Sequence, residues 1–139
     1  MKKIWKISRD TSQLAVLRGY FEEFLSQLDM DQICKSRMIL CIDEAAANII
    51  EHTSTNNSHE PIEEFSIEAN TDNTSIIVTI TDNGIEYNPT KGKEVDLKKH
   101  LHSGKKGGLG VFIMKAHLDI FEYKYENQCN VLTLGMNFK

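Results

Sequence analysis

No apolar stretch in this chain approaches the roughly 18 to 20 residues that a membrane span needs. The N-terminus, Met1-Lys2-Lys3-Ile4-Trp5-Lys6, carries charge with no apolar run behind it, so neither a secretory signal nor a membrane partner is expected. Cysteine is scarce: Cys34, Cys41 and Cys129 make an odd count with no C-x-x-C pair. Cys34 and Cys41 sit in apolar helical context. The pattern points to buried free thiols in a reducing cytoplasm, with a reactive cysteine as the rarer alternative. Internal repeats and low-complexity tracts are absent. Net charge is only −4, which argues against nucleic acid as a direct partner. What remains is a soluble globular chain: 139 residues, 40% apolar and 26% charged, fit a single domain over 1–139 with one core.

Positive charge is unevenly spread. Lys91, Lys93, Lys98, Lys99, Lys105 and Lys106 crowd one segment, with His100 and His102 among them. Taken alone, that is a solvated loop. The sharper reading is a basic lid over an anionic ligand, and the flanking residues decide between the two.

Ile4, Trp5 and Ile7 predict a short first strand. Asp10, Thr11 or Ser12 can cap a helix in which Leu14, Val16, Leu17, Tyr20, Phe21, Phe24, Leu25 and Leu28 recur at helical spacing, ending near Asp29. A second helix is predicted from about Asp31 to His52. Its apolar face carries Met38, Ile39, Ile42, Ala45, Ala46, Ile49 and Ile50, and Glu44, Asn48, Glu51 and His52 lie opposite. The polar run from Thr53 to Pro61 reads as a loop. Glu64–Ala69 and Ser75–Thr81 read as a hairpin; a third helix follows Gly107-Gly108-Leu109-Gly110. Two last strands are predicted at about Ile120–Tyr125 and Val131–Phe138, joined at Glu126-Asn127-Gln128. The order β, α, α, β, β, α, β, β predicts an α/β (α+β) two-layer sandwich: a mixed, mostly antiparallel sheet covered by helices on one face. Strict strand–helix alternation is missing, which excludes a Rossmann arrangement.

Three motifs carry chemistry. Glu44 and Asn48, four apart on a helix, stand one turn apart on the same face. A carboxylate and an amide oxygen are hard donors suited to Mg²⁺ or its bound water, although an isolated E-x-x-x-N is usually an ordinary exposed face. The run Ala45-Ala46-Ala47 leaves space beside that polar stripe. Asp82-Asn83-Gly84 follows an Ile- and Val-rich strand. It is a turn signal, and an aspartate there can also accept from an amino group such as that of adenine, with Gly84 letting the backbone approach a flat ring. Gly107-Gly108-Leu109-Gly110 opens a helix, where backbone N–H groups and the helix terminus favour phosphate. It is not a P-loop, because the G-K-[ST] ending is absent.

Each motif alone is weak. In this order, E-x-x-x-N, D-x-G and G-G-x-G resemble the GHKL (Bergerat) ATP-binding fold shared by gyrase B, the histidine kinases and MutL. Asp43-Glu44-Ala45-Ala46-Ala47-Asn48-Ile49-Ile50-Glu51-His52 and Gly108-Leu109-Gly110-Val111-Phe112-Ile113-Met114 resemble the corresponding stretches of the anti-sigma-factor serine/threonine kinases, as does Asp119. The resemblance implies ATP and Mg²⁺ as cofactors. It implies Glu44 as general base, Asn48 as metal ligand and Asp82 as reader of the adenine amino group, with Gly84 beneath the ring. Gly107, Gly108, Leu109 and Gly110 would hold phosphate, and Lys91 to Lys106 takes the place of the ATP lid. Implied partners are a sigma factor and a STAS-domain anti-sigma antagonist in the cytoplasm, and dimers are common in that subfamily.

Two positions depart from the pattern. Glu86 stands where D-x-G-x-G has its second glycine, and Cys129-Asn130 stands where the last strand often has G-T, which leaves an adenine contact through Asn130 open. Two other functions fit the same residues: an ATP-dependent sigma-factor-binding switch without catalysis, and a stand-alone ATPase domain of a phosphorelay. Glu44 speaks against the first. The short lid and the missing histidine-bearing dimerisation helices speak against the second. His52, one turn past Asn48, is either near the phosphates or structural.

Overall fold

The structure, a computed structural model, describes residues 1–91 and 109–139. Along the described chain run β1 (Lys2–Ser8), α1 (Gln13–Ser26), α2 (Gln32–His52), β2 (Glu64–Thr71) and β3 (Ser75–Asp82). A 3-10 turn at Pro89–Lys91 follows, then α3 (Leu109–His117), β4 (Ile120–Glu126) and β5 (Cys129–Asn137). The sheet order is β1-β2-β3-β5-β4, and each pairing is antiparallel.

Alternation along the strands builds the core. Trp5 and Ile7 of β1, Phe65, Ile67 and Ala69 of β2, Ile76, Val78 and Ile80 of β3, and Leu132, Leu134 and Met136 of β5 are buried in one cluster with the helices. The helices contribute Leu17, Phe21, Phe24 and Leu25 from α1, Met38, Cys41, Ile42, Ala45, Ala46 and Ile49 from α2, and Met114 from α3. Val16 and Tyr20 of α1, apolar positions in the helical pattern, are exposed. The other face of the sheet is mostly polar, with Ile4 and Ile77 exposed on it, and carries ion pairs Lys2–Glu68 at 2.9 Å and Lys6–Glu64 at 4.0 Å. At the far side, Lys124 pairs with Glu126 at 2.9 Å. Among the described residues no helix is long and apolar enough to cross a membrane.

Local chemistry sets the element ends. Asp31 caps α2, its Oδ1 accepting the Cys34 N–H at 2.8 Å. The start of α1 differs from the sequence expectation: Ser12 is already helical and makes no side-chain cap. There Asp10 Oδ1 accepts the Ser12 N–H at 3.0 Å, and a backbone turn, Gln13 N–H to Asp10 O at 2.9 Å, leads into the helix. Asn127 and Gln128 take positive φ of 53° and 61° and make a two-residue turn between β4 and β5. That tight turn starts β5 at Cys129 instead of Val131 and pairs Asn130 directly with Asp82 of β3. The cysteines are free; Cys41 is buried, and burial followed by the nearby Glu44 charge pushes its thiol up to about 12, so it is inert. Cys34 and Cys129 are half-buried.

Candidate nucleotide-binding site

Helix α2 presents the first two candidates beside its buried face. Glu44 and Asn48 are both partly buried, flanked by the buried Ala45, Ala46 and Ile49. Helix α3 packs across α2 and brings Gly110 onto Glu44. A Cβ on Gly110 would lie 2.4 Å from Glu44 Oε2 and 3.2 Å from its Cδ, so only glycine allows the carboxylate to lie against this backbone. Burial, with the neighbouring Asp43 charge adding to it, raises the Glu44 carboxyl above its ordinary value. A carboxylate moved in that direction is a stronger base.

Asp82 ends β3 and is buried, with 4% of its surface exposed. Its Oδ1 accepts from the Gly84 N–H at 2.9 Å and from Asn130 Nδ2 at 2.9 Å. Burial raises its carboxyl; these donors and Thr53 pull the other way, and burial wins. Gly84 is buried as well. A Cβ there would stand 2.6 Å from Thr53 Cβ and 2.8 Å from Thr53 O, so the close approach that demands glycine in this structure is to the end of α2. Thr53 is held there by its own hydroxyl, which donates to Ile49 O at 2.8 Å.

These residues converge on one cleft. Its walls are Ala45, Asn48 and Ile49 of α2 with Thr53 at that helix's end, Ile80 and Asp82 of β3, Tyr123 of β4, and Asn130 and Leu132 of β5. Tyr87 and Pro89 close it from the loop after β3. Tyr87 stacks on His52 with ring centroids 4.5 Å apart and planes 16° apart, which gives His52 a packing role. The free volume inside is about 20 Å³, room for a water molecule and far less than a purine. Of the residues singled out in the sequence, Asn48, Asp82 and Asn130 line this cleft. Glu44 is one helical turn before Asn48, next to α3. Leu109 begins α3. Gly107, Gly108 and the basic segment from 92 to 106 lie outside the described residues; Lys91 ends the 3-10 turn.

Tyr87, Tyr123 and Thr53 were not singled out in the sequence. Tyr123 falls on the half-buried phase of β4, a signal available in its alternation, whereas nothing local marks Tyr87 or Thr53. Among the described residues no cluster of three or more His, Cys, Asp or Glu could hold a metal by itself. The donor set of Glu44 and Asn48 fits an ion that keeps most of its waters and takes its other ligands from phosphate, which is the habit of Mg²⁺.

Known proteins resemble the chain in sequence and in fold. The serine/threonine-protein kinase BtrW of Bordetella bronchiseptica is 29% identical over 97 residues, which span 70% of this chain and 66% of that protein. A structure of the RsbU and RsbW domains of the Mycobacterium tuberculosis protein Rv1364c superposes over 98% of this chain and 32% of that one, with a TM-score of 0.67 at 12% identity. The Acinetobacter baumannii histidine kinase AdeS superposes over 99% of this chain and 69% of its own, with a TM-score of 0.51 at 17% identity. At such identities the two structures speak for the fold alone. Residues 7–136, nearly the whole chain, match the histidine kinase-like ATPase domain, and the chain belongs to that family.

Proposed function

We propose that this chain is an ATP-dependent serine/threonine protein kinase of the anti-sigma type. In this reading it holds a sigma factor in the cytoplasm and phosphorylates a STAS-domain antagonist. The observation that carries the reading is Glu44: a carboxylate raised by burial, one turn before Asn48, lying against Gly110 of α3. A module that only bound nucleotide would need no base there. The similarity to BtrW, described as a serine/threonine-protein kinase, supports the same reaction class.

Phosphoryl transfer asks for positioning and charge neutralisation more than for covalent chemistry. Glu44 takes the proton of the partner's serine hydroxyl. The serine oxygen bonds to the γ-phosphorus, the bond from that phosphorus to the β,γ-bridging oxygen breaks, and ADP leaves with the electron pair. Asn48 is the residue that would hold Mg²⁺, which when bound neutralises phosphate charge. Asp82 accepts from the adenine amino group. Incubating the protein with radiolabelled ATP and candidate STAS proteins tests the reading. Label on a partner serine is the expected result, and firm ATP binding with no transfer to any bound partner overturns it.

Asp82→Asn should lower ATP affinity and erode preference over GTP. The substitution keeps the shape but turns an acceptor into a mixed group, and a mispaired buried polar group costs about 1–3 kcal/mol. A competition assay with unchanged selectivity would remove Asp82 from base recognition.

Gly110→Ala should slow transfer with little loss of stability. The new methyl meets the far end of a flexible side chain, so the fold tolerates it by moving the Glu44 carboxylate. A base misplaced by about 1 Å can cost up to about 100-fold. Single-turnover rates and a thermal melt measured together check this. A wild-type rate would mean that the carboxylate position seen here is not the working one.

A further inference from the structure

Asn130 is buried to the same degree as Asp82, 4% exposed, and sits directly across the β3–β5 ladder from it. Every hydrogen-bonding position of its amide is used within the protein. Nδ2 donates to Asp82 Oδ1 at 2.9 Å and to Ile85 O at 2.8 Å, with Gly84 O at 3.4 Å beside them. Oδ1 accepts the Tyr87 N–H at 3.0 Å and the Tyr123 hydroxyl. An amide has two donors and two acceptor sites, so none is left for a ligand. The orientation of the amide is also fixed: a carboxylate and a carbonyl face Nδ2, and a backbone N–H faces Oδ1.

The bonds to Ile85 O and Tyr87 N bracket Glu86, the residue standing where the motif D-x-G-x-G has its second glycine. Glu86 itself is exposed. The backbone on either side of it is therefore held by one side chain from the neighbouring strand. That same side chain and the Gly84 N–H both bond Asp82 Oδ1, which fixes the carboxylate's rotation and leaves Oδ2 outside this pair of bonds.

We propose that Asn130 is a positioning residue for base recognition: it sets the orientation of Asp82 and the path of the Gly84–Tyr87 loop together, and it does so without touching the nucleotide. The proposal rests on the ATP reading above. It assigns this chain's selectivity to a pair, Asp82 and Asn130, and makes Asn130 the structural counterweight to Glu86.

The test uses the full chain, with ATP and GTP affinities measured by calorimetry from neutral pH down through the Asp82 titration for wild type, Asn130→Asp and Asn130→Ala. In wild type, ATP affinity should weaken as pH falls, because the buried Asp82 carboxyl is shifted up and protonation removes its acceptor. Asn130→Asp places a second carboxylate against Asp82, and the two share one proton more readily as pH falls. A shared proton restores the donor that the amide supplied, so the variant's ATP affinity should rise as pH falls, opposite in sign to wild type. The other titratable neighbours, Tyr123 of β4 and Tyr87 of the loop, are both shifted up by burial, away from this window. Glu86, Glu51 and His52 are common to all variants, so they cannot invert the slope.

Asn130→Ala adds no charge and keeps the test decisive if the acidic variant does not fold. Its ATP-to-GTP preference should fall by roughly tenfold, the scale of one lost buried hydrogen bond. An unchanged preference in folded Asn130→Ala, or slopes of the same sign in wild type and Asn130→Asp, overturns the proposal alone. A wild-type protein that binds neither nucleotide overturns the ATP reading as well, so the two failures are distinguishable.

Discussion

Glu44→Gln should lower phosphoryl transfer to a partner serine by about 100-fold or more, the usual contribution of general base catalysis, while ATP affinity changes little. Glutamine keeps the size and most of the hydrogen bonding but cannot take a proton. The wild-type rate should rise with pH through the Glu44 titration, at a midpoint above the ordinary carboxylate range, because burial has moved the group up. The same shift carries a stability signature. A carboxyl raised in the folded state contributes fully below its unfolded pKa and loses that contribution as pH rises through the folded one. Glutamine has no such loss, so the melting temperature of Glu44→Gln relative to wild type should improve on going from acid to neutral pH. A variant that is less active and no less stable at neutral pH is what a catalytic carboxylate gives. A structural one would lose both. If transfer is undetectable even in wild type with firm Mg-ATP binding, the chain is an ATP-dependent switch and Glu44 supports the metal's water shell.

Asn48→Ala should weaken Mg-ATP binding by about 10- to 100-fold, the range that even the outer partners of a metal site command. The residue lines the cleft with Asp82 and shares a helix face with Glu44, and the described residues hold no cluster of three or more His, Cys, Asp or Glu that could bind the ion instead. Calorimetry with and without Mg²⁺ separates the two contributions: the loss should be large with the metal and small without it. Equal losses would make Asn48 a cleft wall and nothing more.

Helix α2 was legible because its periodicity is strong and its cap, Asp31, uses the commonest chemistry. Glu44 and Asn48 followed from that phase alone. The hairpin of β2 and β3 and the turn at Gly84 followed from alternation and turn residues. The start of β5 did not. The joint was read at Glu126-Asn127-Gln128, but positive φ at both Asn127 and Gln128 makes the turn tighter than glutamine at the second position suggests. The two missed residues hid the pairing of Asn130 with Asp82, and with it the use of the Asn130 amide on the loop. Tyr87 and Tyr123 meet Asn130 from sequence distances of 43 and 7 residues, and no local pattern encodes such a meeting. Gly84 was read as a glycine that lets the backbone approach a flat ring; the close neighbour in the structure is Thr53, at the end of a different element.

Among the described residues, the outer strands of the sheet have no strand beside them and carry charge. Edge strand β1 reads Lys-Lys-Ile-Trp-Lys-Ile-Ser, and β4 at the other edge reads Ile-Phe-Glu-Tyr-Lys-Tyr-Glu. A further strand added to either edge would set its side chains beside these lysines and glutamates. Strand addition is thereby disfavoured at both ends of the sheet, for a second copy as for any extended peptide. Sheet-to-sheet polymerisation, the ordinary hazard of an open antiparallel sheet, is resisted by the same charges, and lowering the ionic screening between like edges strengthens that resistance.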